Sequence, residues 1–180
     1  MKSMYVALCW AVMMVTGLVA CSDDNGEIID PYTEEQKAWI ASNQAYFEEQ
    51  KEAMVDGELV YKQLVVGEDT VLYRLLGEVG KVDSLPQPNS DIKVSIRGEL
   101  PVSQKVFVGD KDGNPVETTI RPNDPGVIKG LSAVLQQVRK GERIETVIPY
   151  RLGYGDQDYW EYSIPLFSTL KFTFTVIDFD

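Results

Sequence analysis

The sequence predicts an α+β domain in which a curved antiparallel sheet wraps on one helix, with a further helix preceding it. Strand-like segments with alternating apolar residues occupy much of 59–120, one apolar helix follows from Gly126, and two more strands end the chain. Several antiparallel strands with a single late helix are typical of an α+β fold whose helix lies across one face of the sheet.

Composition limits the chemistry. The chain has 180 residues, which suits one domain and a terminal extension. Its formal net charge of −11 repels nucleic-acid phosphates. It has no His, which excludes Ser-His-Asp triads and imidazole metal sites. Both Cys, Cys9 and Cys21, precede the predicted domain. We therefore expect no metal, no cofactor and no nucleic-acid partner.

Residues 1–20 have the pattern of a lipoprotein signal peptide. Lys2 precedes an apolar run over 5–15 that is too short to span a membrane comfortably. The tetrad Leu-Val-Ala-Cys at 18–21 resembles a bacterial lipobox, whose Cys is acylated and becomes the first residue after cleavage. Acyl chains at Cys21 would anchor the protein, at ~0.8 kcal/mol per buried methylene. The alternative is an ordinary signal peptide with an incidental Cys.

Residues 21–32 are predicted to form an acidic, solvated tether. The stretch after Cys21 resembles the acidic surface-export signal of Bacteroidota lipoproteins, and a plain spacer is the alternative. We expect a lipid-anchored protein of the cell envelope, in the outer membrane, facing the periplasm or the cell surface.

A helix is predicted over 33–56, ending at about Met54. Thr33 and Gln36 form a capping box at its start. Its apolar stripe is expected to pack against the domain or to space it from the membrane. A dimerising helix is less favoured because polar residues interrupt the stripe at 42–44, and the oligomeric state stays open. The stripe comprises Trp39, Ile40, Tyr46, Phe47 and Met54.

The remaining residues, 59–180, are predicted to form the sheet-and-helix domain. Turn residues separate the segments, and alternation places Ile92, Val94 and Ile96 on one face of their strand. Asp110 opens a solvated turn that lacks the closing Glu of a calcium-binding loop. The predicted strands are 59–66, 71–76, 91–100, 105–108, 116–120, 143–149 and 169–177, with the helix over 126–138.

Five ordered segments resemble the FKBP-type peptidyl-prolyl cis-trans isomerases. They read GVIKGL at 126–131, VRKGER at 138–143, IP at 148–149, LGYG at 152–155 and IPLFSTLKF at 164–172. The resemblance covers about 91–178, and more loosely the strands from residue 59. It implies an FKBP-like fold, a shallow apolar pocket between sheet and helix, and prolyl isomerase activity.

The resemblance also implies the site residues. The catalytic groups are the backbone N–H of Ile128, which binds the substrate carbonyl, and the hydroxyl of Tyr154. Leu131 forms the pocket floor, Ile164 and Phe172 the far wall, and Phe107 the near wall; Leu131, Tyr154, Ile164 and Phe172 are favoured as pocket over core. The implied substrate-binding set is Ile96, Phe107, Val127, Ile128, Leu131, Tyr154, Ile164 and Phe172.

Three positions depart from the family pattern. Ile96 stands where the family has a pocket Tyr, Val108 where it has a buried Asp, and Gly126 where it has an acid at the helix start. The pocket is therefore expected to be more apolar. Three large aromatics, Tyr159, Trp160 and Tyr162, either cover the core or contact a client peptide.

Two functions follow as hypotheses. The first is an envelope-tethered isomerase that acts on prolines of exported proteins. The alternative is a catalytically weak or inactive FKBP-like module that binds peptides as a chaperone or assembly factor. In both, the partners are proline-containing or apolar client segments. An inert structural lipoprotein would instead have a filled pocket.

Overall fold

The computed structural model describes residues 30–80 and 84–180. The predicted signal peptide, the proposed lipidation site Cys21 and most of the predicted tether lie outside these ranges. The described elements are α1 (Glu34–Glu52), β1 (Met54–Val55), β2 (Glu58–Leu59), β3 (Lys62–Val66), β4 (Asp69–Leu75), β5 (Ile92–Leu100), β6 (Lys105–Val108), β7 (Val116–Ile120), α2 (Lys129–Leu135), β8 (Arg143–Ile148) and β9 (Leu170–Phe179). Two short 3-10 helices occupy Tyr150–Leu152 and Trp160–Tyr162.

Seven strands form one antiparallel sheet. Six follow the order β3-β4-β8-β9-β5-β6, and β7 pairs with β5 beside them. The last strand lies at the centre, because β9 pairs with β8 on one side and β5 on the other. With α2 against this sheet and α1 before it, the predicted α+β arrangement is confirmed.

The main core lies between the sheet and α2. The alternation predicted for β5 is confirmed, since Ile92, Val94 and Ile96 are all buried in it. Helix α2 lies very close to β8: a Cβ added at Gly130 would be 2.4 Å from Cγ2 of Ile148. Glycine at this position therefore allows the helix start to rest directly on the strand.

Helix α1 begins as predicted and ends earlier. The hydroxyl of Thr33 accepts from Gln36 N–H at 3.2 Å, and the side chain of Gln36 accepts from Thr33 N–H at 2.9 Å. The helix ends at Glu52 rather than near Met54, because 54–59 form a hairpin. Asp56 and Gly57 have φ values of 54° and 85°, the left-handed conformation of a tight hairpin turn.

Helix α1 packs against the outer face of the sheet. Phe47 is buried there with Tyr61, Leu72 and Val147, in a cluster separate from the main core. Neighbouring residues of β4 point to opposite faces, so Val71 lies in the main core and Leu72 under α1. The packing role expected for the helix is therefore seen in the structure.

Helix α2 spans seven residues, Lys129–Leu135, rather than 126–138. Val127 precedes it in a turn, and Val138 follows it but is still fully buried. The turn at Asp110 is present, and its carboxylate accepts from the N–H groups of Asp112 and Asn114. Within 30–80 and 84–180, no helix has the length and apolarity needed to cross a membrane.

Candidate functional site

The start of α2 presents an unused backbone donor. Ile128 is the N-cap residue, with φ −63° and ψ 144°, and its carbonyl oxygen accepts from Ser132 N–H at 3.0 Å. The preceding N–H, of Val127, is bonded to Asp124 O at 3.0 Å. The N–H of Ile128 bonds to no group in the described part of the chain. A helix start leaves such donors free for a ligand oxygen.

The loop after β8 carries Tyr154. It begins with the 3-10 turn after Pro149 and is closed by a hydrogen bond from Gly155 N–H to Tyr150 O at 2.9 Å. Gly155 has φ 85°, a conformation that favours glycine. The loop conformation thus depends on local bonds and on Gly155, and it places Tyr154 beside the helix start.

The hydroxyl of Tyr154 is also unpaired. Its ring stacks on Tyr159 with centroids 4.4 Å apart, and no described residue accepts from or donates to its oxygen. Burial raises the pKa of Tyr154 to about 12, with smaller contributions from Tyr162, Tyr159 and Glu161. The phenol is therefore protonated at neutral pH and can donate a hydrogen bond.

These two donors line the same cleft. It has a volume of about 410 Å³ and lies between the start of α2 and the Tyr154 loop. Its lining residues are Pro125, Gly126, Val127, Ile128, Lys129, Arg151, Gly153, Tyr154, Gly155 and Tyr159. Of the eight residues expected to bind substrate, Val127, Ile128 and Tyr154 therefore lie together here.

Four of the other expected residues are in the core. Ile96, Leu131, Ile164 and Phe172 are at most 6% exposed, and none of them lines this cleft. Leu131, expected as the floor, and Phe172, expected in the far wall, both belong to the main core. The structure thus places these residues in the core rather than on the cleft surface.

A row of aromatic rings runs from Tyr159 in the cleft to Phe172 in the core. Tyr159 lies 5.6 Å from Tyr162, Tyr162 lies 6.5 Å from Phe107, and Phe107 meets Phe172 edge-to-face at 5.4 Å. Gly98 leaves room for the last pair, since a Cβ there would be 2.8 Å from the Phe172 ring. Tyr159 and Tyr162 are 36% and 39% exposed, and Trp160 is 82% exposed, so all three rings present surface to solvent.

Two of the three positions that depart from the family pattern, Ile96 and Val108, place apolar side chains in or against the core. Ile96 is buried between Val116 on β7 and Phe174 on β9. Val108 lies opposite Gly98 and packs partly against the core. Neither position provides a hydroxyl or a carboxylate. Neither side chain can therefore add a hydrogen bond to those that Ile128 N–H and Tyr154 OH can make.

Sequence reasoning missed Tyr159 as a stacking partner and Lys129 and Arg151 as lining residues. Arg151 lies over the ring of Tyr150 at 5.1 Å and 3.5 Å from a carboxylate oxygen of Asp69. Lys129 lies within the matched segment 126–131 and Arg151 directly precedes the segment 152–155, and these positions were the available signal. Arg151 also lines a second cleft of about 400 Å³ beside α1, which contains none of the predicted site residues.

Comparisons with known proteins identify the family of this chain. Residues 82–177 match the family model described as "FKBP-type peptidyl-prolyl cis-trans isomerase". A Haemophilus influenzae protein named "Probable FKBP-type peptidyl-prolyl cis-trans isomerase" is 35% identical over 135 residues, 71% of this chain and 53% of that protein. The chain spans about half the length of the curated relatives it matches.

Solved structures give the same result. The crystal structure of FkpA from Escherichia coli has a TM-score of 0.61 and 28% identity, and the match covers 81% of this chain and 63% of FkpA. A peptidyl-prolyl cis-trans isomerase of Pseudomonas syringae has a TM-score of 0.63 at 22% identity, covering 83% and 98%. At that identity, the second likeness shows the fold alone.

Proposed function

This chain belongs to the FKBP-type peptidyl-prolyl cis-trans isomerase family, and we propose that it accelerates rotation about peptide bonds that precede proline. One observation carries the proposal: the Ile128 N–H and the Tyr154 hydroxyl, which have no hydrogen-bond partner among the described residues, line one cleft. Both residues stand where the family motifs place its hydrogen-bond donors to substrate.

The chemistry needs no nucleophile and no metal. The barrier of ~18–20 kcal/mol comes from amide resonance, which twisting of the C–N bond removes. A twisted amide is less dipolar than a planar one, so a cleft poor in water favours it over the planar ground state. A preference of ~4 kcal/mol corresponds to a rate gain of about 10³.

The two donors would orient the substrate. The N–H of Ile128 is placed to bind a carbonyl oxygen of the peptide, which fixes the chain while the bond turns. The Tyr154 phenol is placed to bind a second oxygen and keeps its proton at neutral pH, because burial raises its pKa. Val127 and the stacked Tyr159 ring provide apolar surface for the proline ring.

A second candidate is a peptide-binding module with little or no catalysis. The burial of Leu131 and Phe172 favours it, because these two residues of the expected pocket are at most 6% exposed and do not line the cleft. A shallow cleft with two donors can hold an extended peptide without surrounding the proline. The open cleft argues against the inert structural lipoprotein, which would have a filled pocket.

We further propose that the protein acts in the cell envelope on exported clients, anchored through Cys21. The lipobox-like tetrad at 18–21 supports the anchor. The clients would present proline-containing or apolar segments. Isomerisation takes tens of seconds or more without catalysis, so exported chains that fold outside the cytoplasm would benefit from it.

The direct test is a protease-coupled assay on a short X-Pro peptide. We expect the wild type to accelerate isomerisation and Tyr154→Phe to lower kcat/KM roughly tenfold, the effect of one lost hydrogen bond. Tyr73→Phe, on β4 away from the cleft, is the matched control and keeps wild-type kinetics. A wild type without acceleration rejects the enzyme.

A peptide titration followed by amide NMR then separates the candidates. Binding in the cleft shifts the Ile128 amide resonance, because its N–H acquires an acceptor. A shift without catalysis supports the binding module, and no shift with apolar or proline-containing peptides rejects both functions for this cleft.

A further inference from the structure

We infer that helix α1 supports the cleft: a hydrogen bond from Trp39 positions the loop that carries Tyr159. The inference rests on the proposed function. We call residues 156–163 the tyrosine loop and residues 165–169 the following turn. Helix α1 contacts the turn directly, and the turn holds the tyrosine loop against Tyr154.

The connection passes through the peptide groups of Leu166. The indole N–H of Trp39 donates to Leu166 O at 3.1 Å. The N–H of Leu166 donates to a carboxylate oxygen of Asp158 at 2.9 Å. Asp158 directly precedes Tyr159, which stacks on Tyr154 at 4.4 Å. Two hydrogen bonds therefore link α1 to the cleft wall.

The same turn is bonded to the Tyr154 loop. Phe167 N–H donates to Gly155 O at 3.1 Å, and the Phe167 ring packs edge-on against Tyr150 at 4.7 Å. Tyr159 in the tyrosine loop and Ile164, which directly follows the loop, exchange two backbone hydrogen bonds at 2.8 and 3.0 Å. Both loops of the cleft thus meet at 165–169.

The turn needs outside support because its backbone is strained. Phe167, in the turn, has φ 54°, and Ser163, at the end of the tyrosine loop, has φ 49°; both lie in the left-handed region that residues other than glycine rarely adopt. Such conformations persist where surrounding contacts hold them. Helix α1 supplies these contacts through Trp39 on Leu166 and through Asn43, whose side chain and backbone bond to Thr169. Tyr32, just before α1, adds an edge-on contact to the Phe167 ring at 5.8 Å.

This arrangement makes Trp39 a positioning residue for the isomerase site. Trp39 does not line the cleft. Loss of its indole N–H nevertheless removes the hydrogen bond that fixes Leu166, and Asp158 and Tyr159 become more mobile as a result. Since Tyr159 lines the cleft beside Tyr154, the kinetic effect falls mainly on KM, which reports binding in the ground state.

The test combines hydrogen exchange with kinetics in the full chain. Trp39→Phe keeps an aromatic ring and removes the donor. We expect amide exchange in 156–168 to rise about five- to tenfold, and KM for an X-Pro peptide to rise about threefold with kcat little changed. These amides include Tyr159, Ile164, Leu166 and Phe167, all of which donate hydrogen bonds here.

Two controls separate positioning from general destabilisation. Ser42→Ala removes a hydrogen bond that stays within α1, from the Ser42 hydroxyl to Ala38 O. Ile92→Val trims a fully buried side chain at the far end of β5 and lowers overall stability. Neither control is expected to raise exchange in 156–168 or to change KM.

Unchanged exchange in Trp39→Phe overturns the inference, even if the wild type is an active isomerase. Faster exchange with unchanged KM and kcat overturns the claim that α1 serves the cleft. If the wild type has no isomerase activity, the proposed enzyme fails on that result. The inference is then decided by exchange together with the peptide-induced shift of the Ile128 amide, which Trp39→Phe must weaken.

Discussion

Asn43 in the middle of α1 and Thr169 before the central strand β9 are joined by two hydrogen bonds in a buried contact. Thr169 N–H donates to Asn43 Oδ1 at 2.8 Å, and the Thr169 hydroxyl donates to Asn43 O at 3.0 Å. Asn43 is fully buried and Thr169 is 2% exposed. The Asn43 amide nitrogen donates to Trp39 O at 2.9 Å. Every polar atom of the Asn43 side chain therefore has a partner, which makes the contact costly to disturb.

Replacing Asn43 is expected to weaken the fold. Asn43→Leu keeps the approximate volume but leaves Thr169 N–H buried without an acceptor, at a cost of ~1–3 kcal/mol in the free energy of unfolding. Urea denaturation measures this change. Ser42→Ala, at an exposed neighbouring position, is the matched control and should lie within about 0.5 kcal/mol of wild type. Equal stability of the two variants would contradict the assignment.

Gly130→Ala is expected to displace α2 from β8. The new Cβ would be 2.4 Å from Ile148 Cγ2, closer than van der Waals contact permits. Overpacking of this kind costs ~1–3 kcal/mol, and movement of the helix start shifts Ile128. The melting temperature and kcat/KM should therefore both fall. Gly126→Ala is the stability control, because a Cβ added there would meet nothing within 4 Å. A melting temperature of Gly130→Ala equal to that of the wild type would contradict the prediction.

The stability of the protein is expected to fall at high pH through Tyr154. Its folded pKa is raised to about 12, whereas an unfolded Tyr ionises near pH ~10. The folded chain thus holds this proton more tightly, so the contribution is complete below about pH 10 and is lost as the pH rises to about 12. Melting temperatures should decline less steeply over that window in Tyr154→Phe than in wild type.

Isomerase activity is expected to be level between about pH 6 and pH 9. No His is present, and the Tyr154 phenol stays protonated throughout that range. A peptidyl substrate without titratable groups isolates the enzyme's contribution in a pH series of kcat/KM. A bell-shaped profile in that range would reveal an acid or base that the cleft geometry does not include.

Membrane attachment is expected to depend on Cys21 and not on Cys9. Cys21→Ala removes the residue that would carry the acyl chains, so the protein should move from the membrane fraction to the soluble fraction. Cys9→Ala lies within the predicted signal peptide and is the matched control, which should stay attached. Fractionation followed by immunoblotting checks both, and membrane-bound Cys21→Ala protein would refute the anchor.

Local sequence patterns predicted much of the scaffold. Alternation at Ile92, Val94 and Ile96 assigned the buried face of β5, because neighbouring strand residues point to opposite sides. Thr33 and Gln36 located the start of α1 through side-chain bonds that span three residues. The hairpin at 54–59 was missed, although the Asp56-Gly57 pair is a recognised turn signal.

Long-range packing decided the features that local patterns could not. Asn43 was interpreted as a break in the apolar stripe of α1, yet it is the buried anchor of that helix. Its partner Thr169 is 126 positions away in the chain. A polar residue in a helix gives no sign of an acceptor or donor that another segment will supply.

By itself, the sequence determined the family and the order of most elements, and it singled out Ile128 and Tyr154, which the family resemblance implies as donors to substrate. These follow from local motifs, whose Gly and Pro residues set the backbone over a few positions. Only the tertiary structure decided that Leu131 and Phe172 are core and that Tyr159 forms the cleft wall. An apolar side chain has the same local pattern in a core and in a pocket; the difference is whether other segments of the folded chain cover it.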